Sequence, residues 1–266
     1  MPSKFKTTEI SDPRFESDNL RFITVKTPNL KGRGDICLYV PSTPLKPNTP
    51  LVILLHGVYG SAWIWSQKAG VHRTAEHMIA ENEINPMLVA MPSDGLWGDG
   101  SAYLPHNSLD FEKWIAEDVI TAVKENIEEI TDSSPIFIGG LSMGGYGALR
   151  IGAKYPEKFN GISGHSSITD TPQMKLFVEE DEENYKQENP ENESVFELIK
   201  KNESRLPPFR FDCGKDDLLI NYNRTLHKKL NDSQINHIYQ EFEGKHEWVY
   251  WETHIKDSLL FFNSCL

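Results

Sequence analysis

The chain has 266 residues, of which 38% are hydrophobic, 25% charged and 11% aromatic, and this composition excludes disordered, collagen-like and fibrous classes. The 27 Lys and Arg residues and 39 Asp and Glu residues give a formal net charge of −12, which disfavours nucleic acid or an anionic membrane as a partner. No apolar run approaches the roughly 18–20 residues that a membrane span requires.

The amino terminus and the cysteines bear on the compartment. Residues 1–6 place one hydrophobic residue between two lysines, which is not the pattern of a secretory signal. Cys37, Cys213 and Cys265 lie far apart and show no zinc-binding spacing, so neither a disulfide framework nor a metal site is indicated. We therefore expect a protein of the reducing cytoplasm that carries no metal and no cofactor.

Short apolar runs alternate with longer amphipathic stretches along the chain. Two early runs, 21–26 and 35–40, predict an antiparallel hairpin at a sheet edge. Later apolar runs predict strands buried on both faces, at 51–55, 87–91, 136–138, around Ile162, 209–213 and 238–242. The stretches between them predict helices over 69–80, 111–130, 143–154, 218–230 and 247–262. This alternation predicts an α/β fold with a mostly parallel central sheet and helices on both faces.

One stretch, residues 170–208, interrupts the alternation. It is acidic and poor in strand-forming residues, with Glu179–Glu183 at its centre. One interpretation is a solvated insertion. The other is a small helical cap over a site. Because no repeat or low-complexity linker divides the chain, we expect residues 1–266 to form a single domain.

A candidate nucleophile lies in residues 140–144, which match the pattern G-x-S-x-G around Ser142. The motif directly follows a predicted strand and opens a helix that begins with several small residues. A serine on such a tight turn needs glycines on both sides, because a Cβ there would collide with neighbouring backbone. The turn would expose the Ser142 hydroxyl at the carboxyl edge of the sheet.

A serine nucleophile needs a base, and the base needs an acid that orients it. His246 follows the last predicted strand and is the candidate base. Asp216 and Asp217 both follow the strand at 209–213, and spacing alone does not choose between them. His165 also follows a predicted strand, where it is a candidate for lining the substrate pocket or a buried histidine bonded to backbone.

Backbone amides and aromatic side chains complete the predicted site. An apolar strand runs into the glycine-bracketed turn at 57–60, where Val58 first and Tyr59 second are candidate donors to an oxyanion. The Met143 N–H at the start of the following helix is the other candidate donor. Tyr59 and Trp97 are candidates for the walls of a substrate pocket.

Four motifs together resemble a known family of esterases. They are Leu55–Gly57, Gly140–Ala148, Cys213–Asp217 and Gly244–Trp248. They are similar to the family that contains esterase D, bacterial tributyrin esterases, feruloyl and acetyl-xylan esterases and the antigen 85 mycolyltransferases. The resemblance implies an α/β-hydrolase fold, no metal and a Ser-Asp-His triad. It also implies that Asp217 rather than Asp216 is the acid, with Val58 and Met143 as the oxyanion donors.

The sequence departs from the formylglutathione hydrolases within that family. Those enzymes carry a Thr-Cys pair shortly after the first glycine, where this chain reads Val58-Tyr59-Gly60, and a Gly-His-Ser where it reads Gly-Leu-Ser. The tributyrin-esterase-like group is nearer. We expect a serine carboxylesterase for small acyl esters. The alternatives are an acyl-thioester hydrolase, a carbohydrate acetyl or feruloyl esterase, and an acyltransferase. Assembly into a homo-oligomer is left open.

Overall fold

A computed structural model describes the protein over residues 3–266. Nine of its strands form one sheet in the order β1-β2-β3-β5-β4-β8-β9-β10-β11, and β6 pairs with β7 in a small hairpin. The strands are β1 (Thr8–Ile10), β2 (Leu20–Thr27), β3 (Gly32–Tyr39), β4 (Leu51–Leu55), β5 (Leu88–Pro92), β6 (Pro105–His106), β7 (Leu109–Asp110), β8 (Ile136–Leu141), β9 (Gly161–His165), β10 (Phe209–Gly214) and β11 (Ile238–Phe242).

The α-helices fill most of the intervals between these strands. They are α1 (Ile64–Gln67), α2 (Val71–Ala80), α3 (Phe111–Lys113), α4 (Ile120–Asn126), α5 (Met143–Lys154), α6 (Val195–Asn202), α7 (Ile220–Asp232) and α8 (Trp248–Ser264). A π-helical turn, Trp114–Val119, joins α3 to α4. Short 3-10 helices occur at Pro156–Lys158, Thr171–Leu176, Glu182–Tyr185, Pro190–Glu193 and Glu203–Arg205.

The sheet is antiparallel at one end and parallel over the rest. β1, β2, β3 and β5 pair antiparallel in succession, whereas β5, β4, β8, β9, β10 and β11 pair parallel. Leu55 of β4 pairs with Gly140 of β8, which pairs with Gly164 of β9. The loops that follow these parallel strands therefore leave the same edge of the sheet, where open α/β sheets place their ligand sites.

The two faces of the sheet are covered separately. Leu51, Ile53 and Leu55 alternate along β4 with Val52 and Leu54, and the two sets belong to different hydrophobic clusters. One cluster includes side chains of α4, α5, α6 and α7, and the other includes side chains of α2 and α8. This period of two on a strand buried on both faces explains the continuous apolar run in the sequence.

Most predicted elements are confirmed, but the sequence does not predict β1, α1 or the hairpin of β6 and β7. The predicted hairpin is β2 and β3, but the short strand β1 covers its outer edge. The single helix predicted over 111–130 is wrong, because it is divided by the π-helical turn and ends at Asn126. Residues 170–208, here called the acidic segment, contain short 3-10 helices and α6, and a bridge joins Asp170 to Ser194. No helix among residues 3–266 combines the length and the apolarity needed to cross a bilayer.

Candidate active site

Ser142 is the single residue between β8 and α5, in the turn where the chain reverses its direction. Its backbone has φ of +54° and ψ of −119°, a conformation that L-residues seldom adopt. Glycines make the turn feasible: a Cβ on Gly140 would lie 2.4 Å from the Gly144 carbonyl oxygen, and one on Gly144 would lie 2.3 Å from the Leu55 carbonyl oxygen. The turn that carries Ser142 is thus packed directly against the end of β4.

Three side chains from separate loops meet at this turn. The Ser142 Oγ lies 3.0 Å from His246 Nε2, and His246 Nδ1 lies 2.9 Å from Asp217 Oδ2 and 3.1 Å from Oδ1. An ionised carboxylate only accepts hydrogen bonds, so the proton of a neutral His246 is on Nδ1. Nε2 is then free to accept the Ser142 hydroxyl proton. Asp217 is 2% exposed, and the His246 side chain is 13% exposed.

Of the two candidate acids, the structure brings only Asp217 to His246. The Asp217 carboxylate also accepts the Leu219 N–H at 2.8 Å, which holds it at the end of β10. Asp216 is exposed, and its N–H donates to the Gly244 carbonyl oxygen at 3.0 Å. The buried carboxylate is therefore the one that can orient the imidazole.

The backbone N–H groups of Val58 and Met143, the two candidate donors, have no acceptor within residues 3–266. The Met143 N–H is the first of α5, and the first N–H groups of a helix have no partner inside it. The two residues are close to one another, because Gly100 borders both: a Cβ there would lie 2.5 Å from Met143 Sδ and 3.3 Å from Val58 Cγ1. The Tyr59 N–H, the second candidate donor, is engaged by the Asp99 carbonyl oxygen at 2.8 Å.

His56 holds the turn that carries Val58. Its side chain is 2% exposed, with Nδ1 2.7 Å from the Gly57 carbonyl oxygen and Nε2 3.1 Å from the Asp94 N. The Asp94 N–H is a donor, so Nε2 accepts and Nδ1 carries the proton that it donates to Gly57. Because the peptide unit is planar, fixing the Gly57 carbonyl also fixes the direction of the Val58 N–H.

The aromatic candidates contact the acidic segment. Tyr59 is 67% exposed and donates its hydroxyl to the Phe177 carbonyl oxygen. Slight burial and then the nearby carboxylates of Asp99, Glu179 and Glu180 raise the pKa of Tyr59. Trp97 is half-buried, with ring centroids 4.5 Å from His106 and 5.9 Å from Tyr185. Both aromatic residues therefore lie where the acidic segment meets the loops after β4 and β5.

The acidic segment also reaches the imidazole, through a residue that no sequence motif marks. The Phe177 ring lies 5.1 Å from the His246 ring, at an interplanar angle of 31°. The segment is fastened to the loop after β5 because the Glu179 N–H donates to Asp99 Oδ2 at 2.9 Å and Glu180 Oε1 accepts the Asp99 N–H at 2.8 Å. In the sequence, only Phe177 and Tyr185 are aromatic between residues 170 and 190. This isolation within a polar stretch is the one sequence feature that could have pointed to Phe177.

His165 does not line a substrate pocket. It is completely buried, with Nδ1 2.9 Å from Asp212 Oδ2 and Nε2 2.6 Å from Ser258 Oγ. It ends β9 beside the turn, but the pleat directs its side chain into the protein rather than toward substrate. The expectation that it is a substrate-binding residue is corrected on this ground.

No group of three or more His, Cys, Asp or Glu side chains within residues 3–266 is arranged to hold a metal ion. Cys37 and Cys213 are buried and Cys265 is half-buried, and all three are free. Burial raises the pKa of Cys37 to about 11, so this thiol is protonated near neutral pH.

Comparison with known proteins decides the family. The family described as "Putative esterase" matches residues 27–262, most of the chain. The chain belongs to this family. This family member is a carboxylic ester hydrolase with an α/β-hydrolase fold.

Individual relatives agree with the family. An acetyl esterase of Caldicellulosiruptor saccharolyticus is 28% identical over 229 residues, which cover 79% of this chain and 82% of that protein. A ferulic acid esterase structure matches with a TM-score of 0.78 at 19% identity, covering 98% of this chain and 99% of that one. An S-formylglutathione hydrolase of Agrobacterium tumefaciens matches with a TM-score of 0.76 at 18% identity, with coverage of 98% and 99%. At these identities the two structures support the fold alone.

Proposed function

We propose that this esterase is a serine carboxylesterase that hydrolyses small acyl esters through a Ser142–His246–Asp217 triad. The observation that carries the proposal is the pair of contacts made by His246, to the Ser142 hydroxyl at 3.0 Å and to the Asp217 carboxylate at 2.9 Å. This arrangement supports nucleophilic catalysis, because the hydroxyl needs a base within hydrogen-bond reach and the base needs a fixed tautomer.

In the first half-reaction, Ser142 Oγ attacks the ester carbonyl carbon while its proton moves to His246 Nε2. The Asp217 carboxylate stabilises the imidazolium that forms. The carbonyl oxygen becomes an oxyanion, and the free N–H groups of Val58 and Met143 donate to it. His246 then returns the proton to the departing alkoxide as the carbon–oxygen bond of the ester breaks, leaving an acyl group on Ser142.

In the second half-reaction, water replaces the alcohol. His246 Nε2 takes a proton from the water as its oxygen attacks the acyl carbon, and the same two amides stabilise the second oxyanion. The intermediate collapses when the bond to Ser142 Oγ breaks and Oγ recovers the proton from His246. The carboxylic acid leaves and the triad is restored.

Burial at the nucleophile supports a small acyl group. Ser142 is only 2% exposed, and the Phe177 ring covers part of the imidazole beside it. We expect a long or branched acyl chain to clash with the Phe177 ring beside the imidazole. The 28% identity to an acetyl esterase over 79% of the chain supports the same substrate class.

Charge at the entrance supports an ordinary ester over a glutathione thioester. Asp99, Glu179 and Glu180 are near enough to Tyr59 to raise its pKa, and none of the three forms an ion pair with another described residue. Glutathione carries two carboxylates at neutral pH, so an unneutralised acidic wall would repel it.

The three free cysteines support the expectation of a reducing cytoplasm, which stays a prediction.

A panel of substrates tests the proposal. We expect kcat/KM to be highest for p-nitrophenyl acetate and to fall for the butyrate, the octanoate, methyl ferulate and S-formylglutathione. Ser142→Ala should lower turnover of the acetate by more than about 1,000-fold, because the covalent route is lost. Ser66→Ala is the matched control, since Ser66 is also 2% exposed but its hydroxyl donates to the Trp63 carbonyl oxygen and contacts Cys37 instead of a histidine. Substantial turnover by folded Ser142→Ala would refute the proposal.

A further inference from the structure

A second set of Ser, His and Asp side chains lies beneath the site, completely buried. His165 Nδ1 is 2.9 Å from Asp212 Oδ2, and His165 Nε2 is 2.6 Å from Ser258 Oγ. All three residues have no exposed surface, so neither substrate nor water from the bulk reaches them. This second set cannot act as a nucleophilic site, and another role must account for the burial of so many polar groups.

The centre of the set is the Asp212 carboxylate, which is contacted by three donors. Arg210 Nη2 lies 2.9 Å from Oδ2, and the Tyr250 hydroxyl donates to Oδ1 at 2.7 Å. His165 is the third, because its Nδ1 hydrogen-bonds to Oδ1 at 3.1 Å. Oδ2 has ion-pair contacts with Arg210 and His165 but no hydrogen bond of its own. Burial alone would raise the pKa of Asp212, but His165 and Arg210 outweigh it and the pKa is lowered. The carboxylate is thus ionised, and its bonds are charge-assisted and stronger than those between neutral groups.

Asp212 and two of its partners, His165 and Tyr250, each connect to a segment that carries one member of the proposed triad. The His165 carbonyl oxygen accepts the Ser142 N–H at 2.9 Å, which fixes the turn of the nucleophile. Asp212 itself is in β10, five residues before Asp217. Tyr250 is in the first turn of α8, four residues after His246. One buried carboxylate therefore connects the three loops that meet at the site.

The connection to the His246 loop is the most direct. Gly244, two residues before His246, has φ of +136°, and a Cβ on it would lie 2.7 Å from Tyr250 Cδ2. The Tyr250 ring thus packs on the loop while its hydroxyl is held by Asp212. Loss of that hydroxyl bond would release the start of α8 and the loop before it.

We propose that Tyr250, anchored by Asp212 and His165, is a positioning residue that holds His246 within hydrogen-bond distance of both Ser142 and Asp217. This inference rests on the proposed function for its catalytic consequence, although the positioning itself is a property of the structure. A displacement of about 1 Å in a catalytic group can cost about 100-fold in rate, so a bond that fixes this loop matters for catalysis.

A comparison of two tyrosine variants separates positioning from stability. Tyr250→Phe removes the 2.7 Å bond to the buried Asp212, and Tyr155→Phe removes a 2.6 Å bond to the buried Glu112 at the far end of α5. Both variants lose a hydroxyl bond to a buried carboxylate, so both should unfold at lower urea concentration than the wild type. Only Tyr250→Phe should lower kcat for p-nitrophenyl acetate, by about tenfold with KM within about twofold.

A spectroscopic readout that does not depend on turnover accompanies the kinetics. The low-field proton resonance of the His246 Nδ1–H bonded to Asp217 should shift or broaden in Tyr250→Phe and stay unchanged in Tyr155→Phe. Equal kcat values for the two variants, with an unchanged resonance, would overturn the inference. If the wild type fails to hydrolyse any ester, the proposed function fails while the resonance still decides the positioning.

Ser258→Ala covers the case in which Tyr250→Phe does not fold. It removes the 2.6 Å contact to His165 Nε2 and leaves the Tyr250 hydroxyl in place. We expect a smaller fall in kcat with KM retained, because His165 and hence Asp212 would be held less firmly. An unchanged kcat in folded Ser258→Ala, together with an unchanged His246 resonance, would contradict the proposal.

Discussion

The backbone of Ser142 has a conformation that costs of the order of 1–3 kcal/mol, and its neighbours must offset that cost. The Ser142 N–H donates to the His165 carbonyl oxygen at 2.9 Å, and the Ser142 carbonyl oxygen accepts from Tyr146 N at 3.0 Å and Ile168 N at 3.3 Å. The strained residue is thus held from both sides. These backbone hydrogen bonds fix the position from which the Ser142 hydroxyl contacts His246.

The glycine at 144 tests how closely the turn must pack on β4. In Gly144→Ala, the new Cβ would lie 2.3 Å from the Leu55 and 2.5 Å from the His56 carbonyl oxygens, so backbone must move. We expect kcat/KM for p-nitrophenyl acetate to fall on the order of 100-fold. Gly32→Ala, where the nearest atom is the Leu30 carbonyl oxygen at 3.4 Å, should retain activity. Equal activity in the two variants would argue against a tightly packed turn.

The residues of the site differ in how far the sequence predicts them. Ser142 and His246 follow from a local motif and from chain order, because both stand directly after predicted strands. Spacing does not choose between Asp216 and Asp217 as the acid, whereas the resemblance to esterases implies Asp217, the carboxylate that contacts His246. The prediction that His165 lines the substrate pocket is wrong, because position at a strand end does not tell which way a side chain points. Phe177 approaches His246 only through tertiary folding, which no motif records.

At the scale of elements, predictions hold where local pattern decides and fail where distant contacts intervene. The predicted strand at 51–55 and helix at 143–154 have the bounds observed for β4 and α5. The helix predicted over 111–130 instead contains a π-helical turn at 114–119. Within that turn Asp118 accepts hydrogen bonds from Thr27 and Asn29, and Trp114 Nε1 donates to the Ser93 carbonyl oxygen at 2.7 Å. Contacts to residues so far along the chain are invisible to helical periodicity.

The acidic segment is the element whose role in selectivity can be measured most simply. Removing the ring in Phe177→Ala opens space beside His246, so longer acyl chains should fit better. We expect the ratio of kcat/KM for p-nitrophenyl octanoate to that for the acetate to rise on the order of tenfold. Leu176→Ala is the matched control, because Leu176 is the neighbouring residue and is 46% exposed. An unchanged ratio in Phe177→Ala would show that the ring does not limit the acyl group.

At the scale of the whole molecule, a buried ion pair joins elements on one face of the sheet. Arg150 Nη1 of α5 lies 2.5 Å from Glu112 Oε2 of α3, and Lys154 Nζ lies 2.8 Å from Oε1. Burial would raise the pKa of Glu112, but the two cations outweigh it and lower the pKa from 4.5 to about 2. Arg150 also donates to the Tyr103 carbonyl oxygen at 2.6 Å, so the pair connects α5 to the loop after β5.

This ion pair predicts a specific dependence of stability on pH. A carboxyl whose pKa is lower in the folded state stabilises the protein above its ordinary value of 4.5, and that contribution is lost as the pH falls toward 2. Glu112→Gln should therefore reduce the free energy of unfolding by about 3 kcal/mol at pH 7, and the difference from wild type should shrink below pH 4.5. Urea denaturation at pH 7, 4 and 3 measures both effects.

The control for this prediction is Glu128→Gln, which changes the net charge equally at an exposed position. It should alter the free energy of unfolding by less than about 0.5 kcal/mol at each pH. A difference between Glu112→Gln and wild type that stays constant from pH 7 to pH 3 would contradict the lowered pKa of Glu112.

The most direct test of the central claim is the site of labelling by a fluorophosphonate, which reacts with a serine only when a base activates it. We predict that mass spectrometry of the labelled wild-type protein places the phosphonate on Ser142, in a stoichiometry of about one per chain. His246→Ala should label far more slowly, and Ser142→Ala should not label. Labelling at another residue, or undiminished labelling of Ser142→Ala, would contradict the assignment of Ser142 as the nucleophile.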